Sequence, residues 1–465
     1  MTLPSRRDLL ALGGAAGVAL AFGRPLAAQN ASPAALTARE AEVQLAPPSY
    51  PATRIWGNDS ALPGPVIRDA QGGRVTRRLI NDLPQPTSVH WHGLRIDNAM
   101  DGVAGLTQDP VAPGGTFDYD FVAPDAGTYW YHAHNRSAEQ VARGLYGALV
   151  VEEAEAPETD RDEVLVLDDW LLDPQSGQIG ADFLSRHSRS HTGRLGNLVA
   201  TNGRHDHAIE VRRHKRLRLR LVNAANARIF QLALVGLEGW VVALDGMPLE
   251  APAPVAETLL LGPGQRADLI VDVVAEPGED AHLVRVERGE GFSQSRFPVV
   301  GVASDARRDA PAALPPNPGM APPRLAEARP LRLEMSGGAM GRLDAAILDG
   351  RRRSFGQMVE ANQFWAFNGT VGMTPTPLAE LARDEPVHLA IRNDTAFPHA
   401  MHLHGMHFRE IAADGTLGPL RDTTLLQRGE TREIAFAADN PGVWLFHCHM
   451  LSHAESGMMT WLKVT

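Results

Sequence analysis

The chain has 465 residues, and its 44 Lys and Arg against 55 Asp and Glu leave a formal net charge of −11. At roughly 150 residues per domain the length suggests about three domains. The acidic balance argues against a nucleic-acid partner, and 44% hydrophobic with 21% charged residues excludes disorder over most of the chain. The single cysteine, Cys448, excludes a disulfide framework, a cysteine-cluster zinc site and a multi-cysteine iron–sulfur centre.

The N-terminus reads Ser5-Arg6-Arg7-Asp8, then a Gly/Ala-rich apolar run to Phe22, with small residues at Ala27 and Ala28. This is the pattern of an export signal over residues 1–30, and the paired arginines resemble a twin-arginine signal. The apolar run, about 14 residues, is too short to span a bilayer, and no other stretch reaches about 18. The mature protein is expected to be soluble, without a membrane span, and periplasmic.

Beyond the signal, short β-branched runs alternate with Gly, Pro, Asn and Asp turns, for example at 147–151, 163–167, 216–222 and 267–274. Such spacing predicts an all-β sandwich or barrel, and 44 Gly with 34 Pro favours turn-rich β architecture. The chain also repeats itself. Counting from Asn81 and from Asn393, His occupies the ninth and eleventh positions and Gly the twelfth in both. From Asn223 the same frame carries Leu232 and Leu234 instead. A second block, from Gly127 to His134, matches the stretch from Gly442 to His449 position for position. The prediction is three related β-domains over 31–156, 157–305 and 331–465, the middle one without ligands, with a proline-rich stiff linker over 306–330.

These blocks hold four His-x-His pairs: His90/His92, His132/His134, His402/His404 and His447/His449. Residues i and i+2 of a strand share a face, so each pair aims two imidazoles into one space. Imidazole suits copper, iron and zinc. Eight converging rings can hold three metal ions, provided that the first and third domains face each other. Cys448 lies between His447 and His449, so alternation turns its sulfur to the opposite face. His399 and His453 can converge on it, and Met458 supplies a thioether. Two imidazoles, a thiolate and a weak axial thioether make a blue-copper set. The matching positions in the first domain are Thr87, Ala133, Ala138 and Arg143, which cannot.

These motifs resemble those of the multicopper oxidase family, in particular three-domain bacterial laccase-like members, over essentially the whole mature chain. The resemblance implies three cupredoxin-like Greek-key β-barrel domains and four copper ions. His399, Cys448, His453 and Met458 would hold the type 1 copper, and His90 and His402 the type 2. His92, His132 and His449 would hold one type 3 ion, and His134, His404 and His447 the other. It further implies dioxygen as oxidant, with a small organic reductant or a reduced metal ion as donor. All ligands lie in one chain, which suits a monomer.

Oxygen reduction consumes protons, so an acid near the cluster is expected. Asp101 resembles one in bacterial relatives; the alternative is a turn aspartate before Gly102. Relatives carry another acid directly after the second type 1 histidine. Here that place is Ala454 and the acid is Glu455, so either Glu455 or water fills the role. Ala400 also replaces a usual proline. Asp422 resembles an acid beside the type 1 site, able to take a phenol proton or attract a cation; the alternative is a solvated loop aspartate. His187 with His191, and His205 with His207, read as solvated loops before accessory metal sites, and His407 is not expected to be a ligand. Phenols or aromatic amines are the favoured substrates. Oxidation of Cu(I), Fe(II) or Mn(II) is the alternative, disfavoured for copper by the lack of a dense Met-x-x-Met run. A non-enzymatic cupredoxin-fold envelope scaffold is a distant third.

Overall fold

A computed structural model describes residues 33–465; the export-signal reading lies outside them. The strands sort into three pairs of sheets. Residues 34–152 form two four-stranded sheets, 161–302 a six- and a five-stranded sheet, and 329–464 another six and five, with a small hairpin at 345–354. The helices are short: Ser137–Ala142, Arg186–Ser190, Phe355–Glu360 and Leu451–Ala454.

The three-fold repeat read from the sequence reappears as hydrogen bonding. In each unit the first long strand runs parallel to the strand ending in the frame asparagine: Ala38 sits opposite Asn81, Leu167 opposite Asn223 and Met335 opposite Asn393. All three asparagines are fully buried. Each Nδ2 donates to two carbonyls, of Gln85 and Val111, of Arg228 and Leu261, or of Phe397 and Gln427. Each Oδ1 accepts the N–H two residues on, the Asx turn that short amide side chains favour. A buried amide with its bonds met fixes where the following strand starts, and so where the histidines fall.

Each sheet pair encloses its own core, around Tyr119 and Leu149, Leu219 and Val271, and Phe408 and Trp444. A fourth apolar cluster, with Trp130, Tyr146, Trp170 and Leu451, joins the units. The strand Arg216–Asn223 alternates Leu217, Leu219 and Leu221 into its core with Arg216, Arg218 and Arg220 on the other face. These arginines are buried and paired. Arg216 takes Asp272, Arg218 takes Asp268 and Glu153, and Arg220 takes Asp162 and the Thr128 hydroxyl, so the middle unit is keyed to the first.

The proline-rich stretch expected as a linker carries no strand before Arg329, but it is docked at its middle. Asn317 is buried, accepts the Ala126 N–H at 2.8 Å and donates to the Ala126 carbonyl at 2.7 Å. Arg95 and Arg409 donate to the Pro318 and Met320 carbonyls. The segment is a strap across the units.

Candidate metal centre

The strand Gly442–Cys448 pairs with His399–Leu403, setting His402 opposite His447 and Met401 opposite Cys448. Alternation then separates two sites, one on each face. On one face the Cys448 sulfur lies 3.5 Å from His399 Nδ1 and 3.9 Å from His453 Nδ1, and the two Nδ1 atoms are 3.2 Å apart. All three side chains are fully buried. Met458 is buried too, and its carbonyl accepts the Cys448 N–H at 3.0 Å, which sets the two residues side by side in the backbone.

The far nitrogens of both rings are committed. Thr395 spends its hydroxyl hydrogen on Asn393 Oδ1 or the Phe397 carbonyl, so at 2.8 Å it accepts from His399 Nε2–H. His453 Nε2–H donates to the His191 carbonyl at 2.7 Å. Neutral rings protonated at Nε2 present Nδ1 lone pairs, and both lone pairs face the sulfur.

The other face gathers the eight paired histidines. His90 lies opposite His132 across the strands Val89–His92 and Gly127–Ala133. Rings of the first and third units meet: His90 stacks on His404 at 3.9 Å and His92 on His402 at 3.7 Å, while His132–His449 and His134–His447 are 5.3 and 5.5 Å apart. Gly127 shows why the backbone must be bare here. Its φ is +151°, and a Cβ would stand 2.1 Å from the Gly246 carbonyl oxygen of the middle unit.

The rings are arranged for cations. The Nδ1 atoms of His90, His132, His402 and His447 contact the carbonyls of Asp101, Ala133, Asp422 and Cys448 at 2.8 to 3.1 Å. A carbonyl only accepts, so these rings carry hydrogen on Nδ1 and a lone pair on Nε2. His90, His132 and His402 leave that Nε2 buried without a partner, as do His92 Nδ1 and both nitrogens of His449. His404 and His447 point Nε2 at each other across 3.1 Å. Two lone pairs at that distance repel unless a positive charge lies between or beside them. Three-ligand groupings able to hold a metal include His90/His92/His132, His134/His404/His447 and His399/Cys448/His453.

Burial, reinforced by neighbouring rings, holds His92, His132, His134, His404, His447 and His449 well below the ordinary histidine range, with His402 lowered as well. Burial also holds His399 well below that range, and His453 falls to about 3. Neutral imidazole is the ligand form. Burial pushes the Cys448 thiol up to about 12, an effect that a bound cation reverses.

The predicted acids fall in three places. Asp101 is buried, with its carboxylate 3.1 Å from His404 Nδ1 and 3.2 Å from His90 Nδ1, so it spans the two units at the cluster. Glu455 accepts the Ala138 N–H at 2.8 Å and lines a cavity of about 210 Å³ that reaches His134 and His447; burial raises its pKa. Asp422 departs from both readings made of it. It is fully buried and lies against His92 and His402 of the eight-histidine cluster, not beside Cys448. The reason is Arg266 of the middle unit, whose guanidinium binds both its oxygens at 2.9 and 2.6 Å. Burial works to raise the Asp422 pKa, but Arg266, His402 and His92 prevail and hold it well below the carboxylate range. His407 makes no hydrogen bond and joins no metal-ligating group among the described residues.

Sequence reasoning did not single out Thr395, Arg266 or Trp365. Trp365 is buried 4.5 Å from His453 and 5.1 Å from His399, ring to ring. Thr395, two residues after the repeated Asn393, was within reach of the motif. Arg266 and Trp365 arrive from distant strands and leave no local signal.

Three two-sheet units, a buried Cys–His₂ set and an eight-imidazole cluster one residue away define a cupredoxin-type copper protein. Family models described as "Multicopper oxidase" match residues 40–156, 161–296 and 352–465. The chain is 31% identical to "Multicopper oxidase MmcO" of Mycobacterium tuberculosis over 96% of this chain and 90% of that one. Among solved structures it is similar to a multi-copper oxidase from Pseudomonas Thermotolerans (34% identity, TM-score 0.81, covering 93% of this chain and 98% of that one). It is also similar to Lac15 from a marine microbial metagenome (41% identity, TM-score 0.76, covering 93% and 100%). The chain belongs to the multicopper oxidase family. It is a copper-dependent oxidoreductase that works with one type 1, one type 2 and two type 3 coppers and uses dioxygen as acceptor.

Proposed function

We propose that this enzyme is laccase-like, oxidising phenols or aromatic amines one electron at a time while dioxygen is reduced to water. The observation that carries this reading is that metal-competent groupings of His, Cys, Asp and Glu among the described residues all lie in the two buried centres. Among the described residues, no such grouping offers a metal ion a landing site at the surface. Relatives include Laccase-2 of Cryptococcus neoformans, 26% identical.

In this reading His399, Cys448, His453 and Met458 hold the type 1 copper, which accepts single electrons. The eight paired histidines hold the type 2 and type 3 ions in the assignment made above, and these supply the site for oxygen reduction. The protein's own part is orientation and proton supply. The backbone from Cys448 to His447 and His449 is the shortest covalent link between the centres. Asp101 orients His90 and His404 and sits where a proton can be passed to reducing oxygen. Glu455, at the cavity wall, hands protons inward from solvent. Asp422, held ionised by Arg266, orients His92 and His402 and takes no substrate proton. The domain division 31–156, 157–305 and 331–465, export to the periplasm on the strength of Arg6-Arg7, and a monomeric state belong to the same proposal.

A second reading, oxidation of Cu(I), Fe(II) or Mn(II), draws on the 25% identity to the "Copper resistance protein A homolog" of Pseudomonas syringae and on the exposed thioether of Met340. Oxygen uptake with phenols, Cu(I), Fe(II) and Mn(II), compared as kcat/KM, separates the two. The highest value for a phenol supports the first reading, and a strong preference for a metal ion overturns it.

A further inference from the structure

Both imidazoles of the Cys448 set are sealed from solvent. His399 and His453 are fully buried, and their outer nitrogens are spent on Thr395 and on the His191 carbonyl. A donor cannot touch either ring. Over His453 the covering group comes from the middle domain: His191, the cap residue of the helix Arg186–Ser190. The helix is pinned in place. Trp365 Nε1 and the Ala339 N–H donate to the Arg189 and Ser190 carbonyls, and Ser452 donates to the Ser188 carbonyl.

On the outer side of this cover, His187 is exposed and His191 half-exposed, and their rings stack at 4.1 Å and 27°. Ser190 donates its hydroxyl hydrogen to the Arg186 carbonyl at 2.7 Å, so at 2.9 Å it accepts from His191 Nδ1–H. Neutral His191 therefore carries a free lone pair on Nε2. Its own carbonyl accepts from His453. One residue thus joins the surface to the buried set through a single hydrogen bond.

We propose that reducing substrates dock on the His187–His191 imidazole pair, and that the ligand is a small phenol stacked on these rings with its O–H donated to His191 Nε2. The proposal rests on reading Cys448, His399 and His453 as the type 1 copper site. A phenol fits better than a metal ion because, among the described residues, no third His, Cys, Asp or Glu joins the pair within coordinating range. On oxidation the phenol O–H bond breaks. The electron leaves along the His191 carbonyl–His453 hydrogen bond toward the Cys448 site, and the proton goes to solvent at the half-exposed edge. Four phenols give four phenoxyl radicals, four protons and four electrons, which with one dioxygen make two waters.

The test uses copper-loaded enzyme, reduced with dithionite under argon so that no turnover occurs, titrated with 4-fluorophenol and followed by ¹⁹F NMR. Wild type should bind, and His187→Ala and His191→Phe should each weaken binding about tenfold, the size expected for one lost stacking or hydrogen-bonding partner. Both variants retain the main-chain carbonyl, so the oxidised forms should keep the blue absorption of wild type. With dioxygen present, KM for the phenol should rise by a like factor. Unchanged affinity in both variants, or no binding to wild type that has its blue band, overturns the proposal. So does tight Zn(II) binding that requires the pair while 4-fluorophenol does not. Loss of the blue band in wild type itself would instead strike the copper assignment, and is seen separately.

Discussion

The Arg266–Asp422 pair is the sharpest place to perturb this molecule, because it ties the middle domain to the copper cluster. Both groups are 0% exposed. Arg266 makes two short bonds to Asp422 and two longer ones to the Gly264 and Thr128 carbonyls, at 3.1 and 3.2 Å. The one other carboxylate paired with it among the described residues, Asp245, is 3.8 Å away and is already bonded to Arg421 at 3.0 Å. Asp422→Asn keeps the shape and removes the charge, leaving a guanidinium buried without its main partner. Breaking a buried pair from one side costs about 3–5 kcal/mol. His92 also loses its charged acceptor and His402 the carboxylate 3.4 Å from its Nδ1, although His402 keeps the Asp422 main-chain carbonyl, so copper affinity should fall about 10- to 100-fold, as for loss of other groups that orient metal ligands. Urea unfolding of copper-free protein, followed by tryptophan fluorescence, reads the first effect, and competition with a copper chelator reads the second. Replacing both partners, Arg266→Met with Asp422→Leu, should recover much of the stability but not the copper affinity. A loss under about 1 kcal/mol for Asp422→Asn, or a double variant weaker than the single one, would refute the reasoning.

Copper-free protein should lose stability as the pH falls below about 6.5, by about 1.4 kcal/mol per pH unit for each buried neutral histidine. The sign follows from folded values held below the unfolded one, as for His92, His132, His134, His404, His447 and His449: the unfolded chain takes up protons first. Urea midpoints at pH 7 and pH 5.5 check this, and equal midpoints would refute it. Asp422 acts lower on the scale: its pairing stabilises fully above about pH 4 and is lost only as the pH drops through its depressed folded value. Cys448→Ser should abolish the blue absorption of copper-loaded enzyme while paramagnetic resonance still detects type 2 copper. Asn317→Ala, which strips both bonds to Ala126, should cost about 1–3 kcal/mol if the proline-rich segment is a strap, and close to nothing if it is a free spacer.

Much of this protein was legible from spacing alone. Strand alternation is a local rule, so His-x-His pairs, a cysteine on the opposite face and an asparagine frame repeated at Asn81, Asn223 and Asn393 already determine three like β-domains, two ligand faces and a middle domain empty of ligands. The same rule made His90, His92, His132, His134, His402, His404, His447 and His449 readable as one cluster, because each copy obeys the same period. What alternation cannot supply is the partner on the far side of an interface. Asp422 read as an acid beside the type 1 site or a solvated loop aspartate because nothing near it in the chain announces Arg266, 156 residues away. The stretch 306–330 looked like a spacer because proline content describes stiffness and not what a buried Asn317 binds. His191 looked like a loop histidine because its importance lies in a carbonyl that every residue has, brought to 2.7 Å from His453 by the docking of two domains. The sequence by itself pointed to the residues able to bind copper. The tertiary structure decided which of them are sealed, which acid is held charged, and by what route the surface reaches the buried thiolate, since those depend on burial and on contacts between residues far apart in the chain.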